Sequence, residues 1–186
     1  LQGCYVRGII FTQFMQMIED QQGLKMLNDI IDEADLPNGG AYTSGGYYEL
    51  AELQRMLLAL ERRLDVPQAF LLRRYGEYLL KGLAGMFPDF FEVKDLKTFL
   101  MSIDHCIHVE VKKLYPNAAL PKFQYDDPAE TTLIMHYHSE AKLCHLGEGL
   151  IEGSSRHFNQ EYSLLHTTCM HRGDDSCTFE ITFYDS

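Results

Sequence analysis

Cys144, His166, Cys169 and Cys177 put three thiols and one imidazole within 34 positions of the chain. A borderline-soft divalent ion such as zinc takes four such donors in a closed tetrahedron, the arrangement of a structural site with no position left for water. His166 and Cys169 form an H-x2-C pair, and Cys177 follows the turn-forming run Arg172-Gly173-Asp174-Asp175-Ser176. The spacing predicts three ligands on one β-hairpin and Cys144 at the start of a helix, so an ion would tie two elements together. The plainer alternative is four buried side chains, with cysteine acting as a small hydrophobe. Zinc-bound thiolates remain oxidisable, which gives the set a second use as a redox sensor.

His108 is the other residue with chemistry to offer. It stands on a helix expected over residues 93–114, where Leu96, Leu100, Ile103, Ile107 and Leu114 fall within about 40° of one line at 100° per residue. His108 lies about 100° from the centre of that stripe. By itself, a histidine beside an apolar stripe is most often a packed boundary residue. Cys106 is about 200° round the helix from His108 and should not share its face. His136 and His138 alternate on an expected strand and read as a solvated face, His105 and His145 as boundary positions, and Glu110 as a solvated helix position. Cys106 and His105 do not form a nucleophile–base pair, because neighbours at i and i+1 on a helix do not face each other. With no oxyanion-type loop in sight, the chain is not expected to be an enzyme.

Around these residues the first half reads as helix after helix, over 9–18, 24–31, 48–64 and 68–83, broken at Asp35-Leu36-Pro37-Asn38-Gly39-Gly40 and at Asp65-Val66-Pro67. After Pro116 the period changes. Strands are expected over 123–125 and 131–137, joined at Asp126-Asp127-Pro128, and over 162–169 and 176–183. A helix over 143–158 lies between the pairs despite Gly147, Gly149 and Gly153. The class is α+β: one domain spanning 1–186, with a helical part at about 7–92, then a long helix, a small antiparallel sheet and a late helix over 93–184.

Composition limits the function classes. The chain has 186 residues, 46% of them hydrophobic, enough for a substantial core. A formal net charge of -11 argues against nucleic acid or an anionic membrane as partner. No apolar run approaches the roughly 18 residues that span a bilayer. No secretory signal is evident, and an odd set of five cysteines, three of them at ligand-like spacing, points to a reducing cytoplasm.

Several motifs together resemble the H-NOX family, the haem nitric oxide/oxygen binding domains. Ile107-His108-Val109-Glu110-Val111-Lys112-Lys113-Leu114-Tyr115, with Leu120-Pro121 after it, looks like the family's proximal helix. Arg7-Gly8-Ile9-Ile10-Phe11, Asp35-Leu36-Pro37 with Gly40-Ala41-Tyr42-Thr43, Tyr75-Gly76, Tyr137-x-Ser139 and Glu148-Gly149-Leu150-Ile151-Glu152-Gly153 follow in family order over residues 7–184. The resemblance implies the H-NOX fold, haem b bound with His108 as proximal ligand, and Ile10 and Pro121 against the macrocycle. It further implies that NO weakens the bond trans to it, so that the histidine lets go and the helix moves. The Cys144–His166–Cys169–Cys177 set matches a zinc-containing bacterial subgroup.

The family holds the haem propionates with Tyr-x-Ser-x-Arg. Here the run is Tyr137-His138-Ser139-Glu140-Ala141, so Tyr137 and Ser139 are present and the arginine is not. The propionates lose a charge-assisted partner, which should reduce haem affinity. Lys142 would project about 100° away if a helix has begun. Oxygen-binding members carry a distal tyrosine where this chain has Leu146, and Phe14, Leu79, Leu83 and Leu150 at the other distal positions are apolar. Such a pocket should take NO and CO and exclude O₂. The expected role is a cytoplasmic gas sensor acting on a separate partner, by analogy a histidine kinase or a cyclic-di-GMP enzyme. A haem-independent zinc and cysteine redox sensor on the same fold is the alternative that Ala141 favours.

Overall fold

Amphipathic helices dominate the first half because their leucines and aromatics recur at helical spacing. The computed structural model describes residues 4–114, 116 and 120–184; Tyr115, the last residue of the proximal motif, lies outside them. Helices α1 (Gly8–Gln22), α2 (Leu24–Ala34), α3 (Leu50–Leu64) and α4 (Gln68–Met86) bury Phe11, Phe14, Ile18, Ile30, Leu53, Met56, Leu60, Tyr75 and Leu79 in a common core. A two-stranded ribbon precedes them, β1 (Tyr5–Arg7) with β2 (Tyr47–Glu49), antiparallel, Val6 opposite Tyr48. Residues 48 and 49 were expected to be helical. Pairing with β1 claims them, and aromatic residues such as Tyr47 and Tyr48 suit a strand.

Helix α5 (Leu96–Ser102) begins three residues later than expected, where the Asp95 carboxylate accepts the Thr98 backbone N–H at 2.8 Å and caps it. The expected single helix over 93–114 is then interrupted. Residues Ile103–Ile107 form a π-helical turn, with the His108 N–H bonded to the Ile103 carbonyl, and α6 (His108–Leu114) follows directly. A π turn inserts one extra residue, which rotates everything after it by about 100° relative to an unbroken helix. That rotation cancels the offset read from sequence and returns His108 to the line of Leu96 and Leu100. His108 and Val111 are accordingly half-buried, while Val109, Glu110, Lys112 and Lys113 are exposed.

The sheet comprises β3 (Lys122–Ala129), β4 (Thr132–His138), β5 (Tyr162–Thr168) and β6 (Cys177–Phe183), all antiparallel in the order β3-β4-β6-β5. The first hairpin turns at Glu130-Thr131, not at Asp126-Asp127-Pro128. Pro128 sits instead in a register shift on the edge strand β3, where its missing N–H costs no ladder bond. The Lys97 ammonium holds that hairpin to α5 through the carbonyls of Ala129 (2.7 Å) and Glu130 (3.2 Å). Leu133, Met135, Phe179 and Ile181 face a second core with Leu96 and Leu100.

Helix α7 (Cys144–Phe158) crosses α4 so closely that only glycine fits at the crossing. A Cβ on Gly149 would lie 2.0 Å from the Arg73 carbonyl oxygen, and one on Gly76 would lie 2.4 Å from that of Leu146. The glycines that made this helix doubtful from sequence are what allow it to pack. Leu150 touches both cores, so the crossing joins the two parts. Among the described residues no helix is long and apolar enough to cross a membrane.

Candidate functional site

The four candidate metal donors converge. Cys144 opens α7, His166 lies in β5, Cys169 follows β5 directly, and Cys177 opens β6. Their ligand atoms all lie within 4.8 Å of one another, and the Cys144 and Cys169 sulfurs are 3.9 Å apart. Tetrahedral zinc with bonds near 2.3 Å would separate two sulfurs by about 3.8 Å. The three cysteines are free thiols and buried. Burial pushes the Cys144 thiol far above its ordinary pKa, and the neighbouring Cys177 and Cys169 push it further. A cation would reverse that penalty.

The loop between Cys169 and Cys177 is built as a knuckle. Arg172 N–H donates to the Cys169 carbonyl at 2.8 Å, Gly173 takes a left-handed φ of 98°, and the Asp174 carboxylate accepts the Cys169 N–H at 2.7 Å. The Met170 N–H donates to the Cys177 sulfur at 3.3 Å, which favours a thiolate there.

Sequence reasoning missed what stands behind His166. Glu148, only 6% exposed on α7, accepts from His166 Nδ1 at 2.5 Å, from His145 Nδ1 at 3.1 Å and from Arg73 Nε of α4. Burial works against ionising Glu148, but these donors outweigh it and hold the carboxyl at about 2. With Nδ1 engaged, His166 Nε2 is buried and has no hydrogen-bond partner. Glu148 falls four residues after Cys144, a spacing that puts both on one helix face and was readable in sequence. Arg73, seventy-five residues away, was not. His145, expected at a boundary, is half-buried and its ring stacks 5.8 Å from that of His171.

His108 occupies a sparer environment. Its side chain is 15% exposed, and Nδ1 is buried without a hydrogen-bond partner, the nearest carboxylate being Asp104 at 3.6 Å. Burial depresses its pKa, with Asp104 opposing. Phe123 of β3 lies 5.8 Å from the ring, and Tyr137 in turn packs edge-on to Phe123 at 5.6 Å. The Tyr125 hydroxyl reaches from β3 to the Leu100 carbonyl at 2.9 Å, just before the π turn. Cys106 and His105 are exposed, as is His138; His136 bonds to Asp126 and Thr178 on the sheet surface.

The apolar residues singled out from sequence gather in one cluster. Phe14 of α1, Leu79 of α4 and Leu146 of α7 are buried, and Ile10, Leu83 and Leu150 pack half-exposed against them. The buried phenol of Tyr75 stacks edge-on to Phe14 at 5.1 Å, but its proton goes to the Ile10 carbonyl at 2.5 Å. Pro121 is half-buried. Tyr137 and Ser139 are buried, and their oxygens accept the backbone N–H groups of Leu143 (3.0 Å) and Ala141 (3.2 Å).

The family model for haem-NO-binding domains matches residues 7–166. The chain belongs to the haem-NO-binding, or H-NOX, family. Among solved structures, the unliganded Fe(II) H-NOX protein of K. algicida is 34% identical over 97% of this chain and 98% of that one, with a TM-score of 0.90. The S. oneidensis H-NOX protein in its Fe(II)NO state is 30% identical over 97% and 100%, with a TM-score of 0.91. The Shewanella woodyi H-NOX in its Fe(II)CO state is 34% identical over 94% and 93%, with a TM-score of 0.82. No curated protein sequence matches at a significant level.

As an H-NOX domain the chain carries a donor set that fits haem, with one deficit. His108 presents an orphaned buried Nδ1, with Phe123 beside the ring at 5.8 Å and the Asp104 carboxylate at 3.6 Å. Tyr137 and Ser139 accept backbone amides on their oxygens, and a hydroxyl so engaged still has a proton with which it could meet a propionate. Ala141 is 7% exposed and packs into the helical core, so the arginine's place holds no cation. Lys142 does not stand on a helix, contrary to the geometry assumed from sequence. It has a left-handed φ of 48°, is exposed, and precedes the start of α7 at Cys144.

Proposed function

We propose that this H-NOX domain is an NO-responsive sensor in which His108 is the releasable iron ligand. A bound haem supplies the iron that takes a diatomic gas. The chain does the rest: His108 holds the iron from α6, Ile10 and Pro121 contact the macrocycle, and Tyr137 and Ser139 donate to the propionates. Phe14, Leu79, Leu83, Leu146 and Leu150 make a distal wall with no hydrogen-bond donor, and the proton of Tyr75 beside it is already spent. Bound O₂ needs a donor for its partial negative charge; NO and CO do not, so this wall selects them. The carrying observation is His108 itself, half-buried at the start of α6 directly after the π turn, with an unpartnered Nδ1. Gas-bound H-NOX relatives from S. oneidensis and S. woodyi support the reading.

Cys144, His166, Cys169 and Cys177 hold a structural Zn²⁺, placing the chain in the zinc-containing bacterial subgroup. The domain is not an enzyme; it acts in the cytoplasm on a separate histidine kinase or cyclic-di-GMP enzyme, with no nucleic acid or membrane as partner. Anaerobic spectra of the reduced, haem-loaded protein test this. NO should shift the Soret band to a five-coordinate form, and first exposure of the reduced protein to air should leave it unmoved; a stable O₂ complex sinks the selectivity claim.

The buried Ala141 supports a second reading, a zinc and cysteine redox sensor that works without haem. In that case protein from a haem-supplemented host lacks a Soret band, carries about one zinc per chain, and loses it to peroxide.

A further inference from the structure

Glu148 is a buried carboxylate that neither the haem reading nor the four-ligand zinc reading uses. It sits one helical turn after Cys144 with three donors converging on it from three elements: Arg73 of α4, His145 beside it on α7, and His166 of β5. A neutral imidazole has two tautomers, and the ring nitrogen that carries the proton cannot bind a metal. Donation from His166 Nδ1 to Glu148 fixes the proton there and leaves Nε2 bare and buried, on a ring that brings a nitrogen within 4.8 Å of the three sulfurs. Buried carboxylates in this position behind a ligating histidine orient the ring and raise its basicity.

The same carboxylate is held from the other side by Arg73. Arg73 lies on α4 at the point of closest approach to α7, where its carbonyl excludes any side chain on Gly149. Helices α4 and α7 carry Leu79, Leu83, Leu146 and Leu150 of the apolar wall. A path of polar contacts therefore runs from His166, beside the sulfur cluster, through Glu148 and Arg73 to the helix crossing behind that wall.

We propose that Glu148 is the positioning residue that makes His166 a metal ligand and that, through Arg73, it couples metal occupancy to the packing of α4 on α7. This rests on the zinc reading of the four-ligand cluster. The coupling has a direction: an ion that holds His166 in place holds Glu148, and Glu148 holds Arg73. Losing the ion frees the imidazole to turn, and the bridge to α4 loosens with it.

The test uses Zn²⁺ itself and the full chain. Affinity is measured by competition with a chromophoric chelator for wild type, Glu148→Ala, Glu148→Gln and Arg73→Ala. Glu148→Ala should bind zinc roughly 10–100-fold more weakly, and Glu148→Gln, which keeps an acceptor oxygen for His166, should recover most of that loss. X-ray absorption should report three sulfurs and one nitrogen in wild type and a poorly ordered nitrogen in Glu148→Ala. Hydrogen exchange along α4 should quicken when zinc is removed from wild type, and be quick with or without zinc in Arg73→Ala. A mere packing role would lower the melting temperature of Glu148→Ala while its zinc affinity matched wild type, and that result overturns the proposal with the zinc site intact. If wild type binds no zinc, the zinc reading falls and the proposal with it. Should Glu148→Ala fail to fold, Arg73→Ala, with its half-exposed side chain, decides the coupling alone, and exchange along α4 that matches wild type both with and without zinc overturns it.

Discussion

The sulfur cluster and the His108 segment are built to opposite specifications. Around the cluster almost every polar group is engaged: the Cys169 N–H by Asp174, the Cys177 sulfur by Met170, and His166 by a carboxylate that is itself held by Arg73 and His145. His108 has no such backing. Its Nδ1 lacks a hydrogen bond, its nearest carboxylate stands at 3.6 Å, and the helix beneath it carries a π turn. A ligand meant to stay is locked by its neighbours; a ligand meant to let go is left with few. On the proposed reading, the two sites divide the work of holding the fold and changing it.

Removing each ligand set should expose that division most sharply. Cys177→Ser, or chelation, should lower the melting temperature by roughly 8–16 °C if free zinc stands a thousand-fold above its dissociation constant. His108→Ala should abolish the Soret band, yet between haem-free proteins it should cost less than about 1 kcal/mol of stability, because it removes a half-buried ring with an unpartnered nitrogen. Thermal melts with parallel metal analysis separate the two. Equal losses would erase the contrast.

Zinc uptake by the metal-free protein should release about two protons or more near neutral pH, since burial pushes the Cys144 and Cys177 thiols up and zinc binds them as thiolates. Both thiols are shifted upward, so affinity should fall as pH falls. Calorimetry in buffers of different ionisation enthalpy counts the protons, and release of none would show that the thiols are not ligands.

Two substitutions sharpen the haem side. Leu146→Tyr would place a phenol on the distal wall, and a hydrogen bond to the partly charged oxygen should raise O₂ affinity by about 10–100-fold. Ala141→Arg should slow haem transfer to an apoglobin acceptor by about 10-fold, one charge-assisted hydrogen bond's worth. An unchanged transfer rate would mean that another group already neutralises the propionates.

How legible was this in the sequence? The four sulfur and imidazole donors could be placed because the turn 172–176 fixes a hairpin locally and Cys144 heads a periodic helix. His108 was identified by its motif, but its orientation was misjudged. A periodicity argument at 100° per residue carries straight through a π turn, and nothing in Ile103-Asp104-His105-Cys106-Ile107 announces one. The bulge at Pro128 and the ribbon at Tyr47–Glu49 were missed because strand pairing, not local propensity, decides both. Arg73 behind Glu148 was out of reach, being a contact between helices far apart in the chain. Helix α7 was legible from its periodicity despite its glycines, but the reason for them, the close press of α4, was not.

The most direct test of the contrast is hydrogen exchange on the reduced, haem-loaded protein with and without NO, resolved by segment. The account predicts faster exchange over 103–114 on NO binding and unchanged protection over 162–183. Unchanged exchange at His108 together with loosening of the Cys169–Cys177 hairpin would contradict it, and would make the zinc end the moving part.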